Sequence, residues 1–154
     1  MSDTPINLSD IAAVCREHGY VVDEIDNGLE VSGAEEGGAF YLFPENGWLQ
    51  VRCQVLDGAD LDQARTLDAL FETVARAQFR LIGCRFGFDA FTGLWLVEDL
   101  YPGFEAERLP AVLEQLAFVW SSLEGVLEAA LKGAVPNDDA LDAAFELVSA
   151  TPPN

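Results

Sequence analysis

Basic residues are scarce in this chain: Lys and Arg number 8 against 27 Asp and Glu, a formal charge of -19 at pH 7. Nucleic-acid binding rests on Lys and Arg neutralising phosphates, so this balance argues against nucleic acid as a partner. Anionic membrane surfaces are disfavoured for the same reason. Long apolar runs are missing too. None reaches about 18 residues without a charge, so no membrane insertion is expected. Residues 1–7 lack the basic start and apolar run of a signal peptide. Cysteine is sparse and odd in number, with Cys15, Cys53 and Cys84 far apart. Reduced thiols in a cytoplasm fit that pattern better than a disulfide framework.

What the chain does have is apolar content, 50% of residues, with a mean hydropathy of +0.15. That is too much for a disordered acidic tail. Its length of 154 residues is enough for a sizeable core in one domain, 1–154, with residues 1–6 and 151–154 expected to be flexible. The clearest pattern is Trp48 to Leu56, where Leu49, Val51, Cys53 and Val55 alternate with Trp48, Gln50, Arg52 and Gln54. This is the period of a strand with one buried face, which needs sheet neighbours and a covering layer.

Neighbouring segments supply both. Asn7 can cap a first helix whose face is Leu8, Ile11, Cys15 and His18, ending at Gly19. Tyr20–Ile25 and Leu29–Ser32 read as strands about an Asp26-Asn27-Gly28 turn, and Gly33–Gly38 as a loop. Ala39–Phe43 follows, with Pro44–Gly47 as the turn into Trp48. Asp60 and Gln63 have capping-box character for a second helix running to about Phe79. Arg80–Asp89 alternates with Ile82, Cys84, Phe86 and Phe88 on one face, and Leu94–Tyr101 returns after a turn at Ala90–Gly93. A long helix runs from Leu109 through Lys132, and Asp138 caps a short last one. The expected fold is α+β: an antiparallel sheet of about five to six strands packed against helices, in the order α-β-β-β-β-α-β-β-α-α.

No catalytic, cofactor or metal set stands out. Cys15 and His18 share a helical face, but zinc needs four converging ligands, and Cys53 and Cys84 lie in apolar strand rows where a thiol packs as a small hydrophobe. Asp57, Asp60 and Asp62 resemble a calcium-loop fragment with Gly58 too early, and helix capping accounts for them. Glu98 and Asp99, adjacent on a strand, point to opposite faces and do not make an acid-base pair. Neither a Gly-rich phosphate loop nor a nucleophile elbow is present. Aromatics remain: Tyr41, Phe43 and Trp48 on the first meander, and Phe91, Trp95 and Tyr101 on the second, either fall off the core-facing rows or pack on the first or terminal helix. Exposed together, they would form a patch of a kind that monomers seldom carry.

Two stretches carry a resemblance: G-W-L-Q-V-R-C-Q-V at Gly47–Val55, and T-G-L-W-L-V-E-D-L-Y-P at Thr92–Pro102 ahead of the long amphipathic helix. With the element order, from about Leu8 to Leu131, they resemble the type III secretion chaperone-like fold. This group includes class I secretion chaperones, YbjN-like regulators and YjfI-like proteins, some encoded beside a PspA-type membrane-stress protein. The resemblance implies a non-catalytic cytoplasmic adaptor, a homodimer, that buries an apolar or amphipathic segment of a partner such as a secretion effector or PspA-type protein. By the same analogy Phe71, Phe86 and Trp95 lie near a dimer interface. The helix from Asp138 to Val148 goes beyond the basic chaperone pattern. The rival expectations are a small-ligand or enzymatic domain with a pocket between sheet and long helix, and a structural subunit of a larger assembly.

Overall fold

In the computed structural model, which describes residues 6–33, 38–64, 67–89 and 91–149, the first element is helix α1, Leu8–Glu17. Asn7 caps it as expected, its Oδ1 accepting from the amides of Ser9 (3.0 Å) and Asp10 (3.3 Å). Ile11, Ala12 and Cys15 face inward. His18 is the C-cap, with its Nδ1 3.0 Å from the Val14 carbonyl. The expected flexible ends lie outside the described residues except for Ile6, as does most of the Gly33–Gly38 loop.

Strands β1 (Val21–Ile25), β2 (Gly28–Ser32), β3 (Ala39–Glu45) and β4 (Trp48–Leu56) form the antiparallel meander. Asn46 (φ 53) and Gly47 (φ 83) make a two-residue turn with both residues left-handed, the geometry that twists a hairpin correctly. Pro44 therefore belongs to β3, opposite Leu49, and not to the turn. Near a strand end its missing N–H costs little. The register stacks Val22, Val31, Phe40 and Cys53 in one buried row, and Leu29, Leu42 and Val51 in the next. Helix α1 lies against β1 and β2.

Helix α2 (Gly58–Asp62) is capped by Asp57, not Asp60. Asp57 Oδ1 accepts from the Asp60 amide at 2.8 Å, and Asp60 Oδ2 accepts from the Asp57 amide at 3.1 Å. The expected second helix is thus two elements, since α3 starts afresh at Asp68 and runs to Gln78. Strand β5 (Arg85–Asp89) is shorter than the alternation implied. Gly83, at φ 84, breaks the extended backbone and leaves Ile82 85% exposed in a bend. Strand β6 (Gly93–Leu100) and a 3-10 turn (Ala106–Arg108) lead into the long helix α4, Leu109–Leu131. Helix α5 (Asp138–Ser149) has Asn137 as its cap, in place of Asp138: Asn137 Oδ1 accepts from the Ala140 amide at 2.8 Å.

The fold is α+β, with a six-stranded antiparallel sheet in the order β1-β2-β3-β4-β6-β5, so β1 and β5 are its terminal strands. The chain groups into two compact units, residues 1–54 with 97–117 and residues 55–96 with 118–154. The first has Val31, Leu42, Leu49, Val51 and Leu113 at its core, and the second has Leu70, Leu96 and Leu141, all at 0% exposure.

Candidate protein-binding surface

In the first unit the sheet face opposite α1 bears polar and aromatic side chains in cross-strand rows. Asp23, Glu30, Tyr41 and Arg52 form one row, while Phe43 pairs with Gln50 and Glu45 with Trp48. The Arg52 guanidinium stacks 4.7 Å from the Phe43 ring centroid, an attraction of charge to the ring face. Arg52 Nε donates to Gln50 Oε1, and Gln50 Nε2 donates to Asp99 Oδ1 at 3.2 Å. Tyr41 and Phe43 are half-buried by this lattice; Trp48 is exposed. Tyr101, past the end of β6, is exposed with its hydroxyl 3.5 Å from Arg108 Nη1.

A different arrangement holds in the second unit. Phe71 of α3 meets Phe88 of β5 edge to face, ring centroids 5.5 Å apart, and the two rings are 45% and 49% exposed. Phe91, in the turn beyond β5, is 93% exposed. That turn is held by Asp89 Oδ1, which accepts from the amides of Phe91 (2.8 Å) and Thr92 (3.1 Å). Phe86 is half-buried, and its amide donates to Gln78 Oε1 at 2.9 Å. Trp95 is half-buried and donates from Nε1 to Thr92 Oγ1 at 3.0 Å. Asp138 and Asp142 of helix α5 pair with Arg76 and Arg80, toward the far end of α3 from Phe71.

So the sequence-selected aromatics separate into two groups, one per unit, and Phe71 stands in a ring pair with Phe88. Three contributors were missed: Phe79, Ile82 and Phe88, which are 92%, 85% and 49% exposed. Alternation had put Ile82 and Phe88 on one apolar face with Cys84 and Phe86. The signal against that placement was Gly83 and Gly87 between them, since a glycine-broken strand covers its own apolar row poorly.

The rival pocket site is small. Between the end of β4 and helix α4, a cleft of about 240 Å³ is lined by Val55, Leu56, Trp120 and Leu127, with Asp60, Glu124 and Glu128 among its polar groups. Ligand pockets span about 300–1,000 Å³. The buried thiols are poor nucleophiles: burial pushes Cys53 up to about 12 and also raises Cys15. Among the described residues no group of three or more His, Cys, Asp or Glu is placed to hold a metal ion, and no helix is long and apolar enough to cross a membrane.

Glu98 has its affinity for protons raised, chiefly by burial, with Arg108 opposing and Asp99 adding to the rise. A raised folded-state value means that its protonated form favours folding below the ordinary glutamate range. That contribution is lost as pH climbs through the raised value. Glu98→Gln is therefore expected to raise stability at pH 7 by no more than about 1 kcal/mol, the group being part-exposed. Thermal melts from pH 7 downward should show the gap closing as pH falls. A gap independent of pH would contradict this reading.

A scan against models of known protein families matches none of them, and a search of curated proteins finds no match either.

Proposed function

We propose that the chain is a non-catalytic protein-binding adaptor, chaperone-like or regulatory, which buries an apolar or amphipathic segment of another protein. The observation that carries this reading is the Phe71–Phe88 pair, both rings about half exposed at a terminal strand, with Phe91 nearly bare beyond it. Apolar area of this kind is stabilised when a partner covers it. The acid excess keeps such a surface soluble and attracts basic stretches. The type III secretion chaperone-like resemblance supports the same class of activity. On that basis the partner is a secretion effector or a PspA-type protein, met in the cytoplasm by a dimer of this chain.

Pull-downs from the source cell test this. Phe71→Ser and Phe91→Ser should each cut recovery of a partner at least fivefold, while Val21→Ser, at an exposed apolar site on β1, the opposite terminal strand, retains it. Equal recovery by all variants, or no retained protein with wild type, would overturn the proposal.

A further inference from the structure

A cleft of about 540 Å³ lies in the first unit, between α1 and the segment from Gly103 to Glu107. Ile11, Val14 and Phe104 give it an apolar floor, and Asp10, Glu17 and Glu107 give it a carboxylate rim. Asp10, Val14 and Glu17 follow one another at helical spacing, so acid, apolar and acid groups face the cleft over two turns of α1. Ile11 is buried, Val14 and Phe104 are half-buried, and the three acids are exposed. The cleft falls within the range that holds a ligand, and a rise of about 1.5 Å per residue makes it long enough for two turns of a docked helix.

We infer that this groove docks a short basic amphipathic helix of a partner protein, its apolar face on Ile11, Val14 and Phe104 and its Lys or Arg side chains on Asp10, Glu17 and Glu107. Charge complementarity selects this occupant. A second copy of this chain, at -19, would bring mainly like charge to the rim. An apolar stripe flanked by cations satisfies floor and rim together, in the helix-in-groove mode. The inference deepens the protein-binding reading but uses a surface apart from the Phe71–Phe88 pair. It makes the partner bipartite: an apolar segment for the Phe71–Phe88 rings and a basic helix for α1.

The test uses a labelled 14-residue helical peptide with leucines on one face and lysines on the other, followed by fluorescence anisotropy at 150 mM salt. The full-length chain should bind it. Asp10→Asn/Glu17→Gln/Glu107→Gln should weaken binding at least tenfold, as should Ala13→Trp, which fills the groove from an exposed position that lines it. A control with the same loss of charge elsewhere, Glu45→Gln/Asp62→Asn/Asp139→Asn, should stay within about twofold. Equal weakening by the two triple variants would reduce the effect to general attraction and overturn the inference, as would no binding by wild type. Phe88→Ser should leave peptide affinity unchanged, so failure of the β5 surface and failure of the groove are read separately.

Discussion

Gly93→Ala is expected to lower stability by about 3 to 5 kcal/mol, the range in which a single substitution threatens the whole fold. Two effects add there. Gly93 has φ 112, where side chains other than hydrogen are strained, and an added Cβ would drive into the Leu56 carbonyl oxygen and come within 2.9 Å of Asp57 Cα. Both neighbours are backbone at the end of β4, so no side chain can swing away. Gly133 separates the two effects. Its φ is 94, yet nothing lies within 4 Å of an added Cβ. Gly133→Ala should cost only about 1 kcal/mol, the strain alone. Urea unfolding of the two variants checks the difference, and equal losses would mean that the close approach of β6 to the end of β4 is wrong.

That approach illustrates what the sequence could and could not convey. The meander was legible because its signals are local: period-two alternation in Trp48–Leu56, and Asn27 and Asn46-Gly47 where the chain must turn with positive φ. Helix α1 was legible through Asn7, and α4 through its sustained apolar rhythm. Errors arose where two local readings compete. Asp57 and Asp60 are both good caps, and which one starts α2 depends on backbone angles that composition does not carry. The same holds for Asn137 and Asp138. Pro44 looked like a turn residue because turns favour proline, but Asn46-Gly47 completes the turn without it.

The candidate surface was less legible than the fold. Alternation assigns a side chain to a face but does not say whether that face is covered. Tyr41 and Phe43 were correctly placed off the core row, yet Arg52 and Gln50 share that face, with Arg52 stacked on Phe43. Phe88 was placed on one apolar face with Cys84 and Phe86, yet β5 ends the sheet, and Phe71 comes forward to meet the Phe88 ring. Pairing between residues 17 positions apart is a tertiary event, invisible to a reading by local period.

Two copies of the chain are expected to associate through β5. Its sequence, Arg-Phe-Gly-Phe-Asp from Arg85 to Asp89, is complementary to itself when run antiparallel about Gly87. Arg85 then faces Asp89 of the other copy, and Phe86 faces Phe88, each twice. Cross-strand pairs of this type contribute about 0.2–1 kcal/mol each, and like charges directly opposite are destabilising. Arg85→Asp, which sets Asp against Asp at both ends, should weaken the dimer about tenfold, near 1.4 kcal/mol. Phe88→Ser removes a ring from both aromatic pairs and should weaken it at least as much. Gln78 should oppose such a contact, because its carboxamide holds the Phe86 amide that a second strand would need. Gln78→Ala should therefore tighten the dimer.

Sedimentation equilibrium of the wild-type chain, Arg85→Asp, Phe88→Ser and Gln78→Ala over one concentration series measures this directly. The account predicts a wild-type dimer, weakened by the first two substitutions and strengthened by the third. A wild-type chain that stays monomeric at the highest concentration, or a dimer indifferent to all three changes, would contradict it.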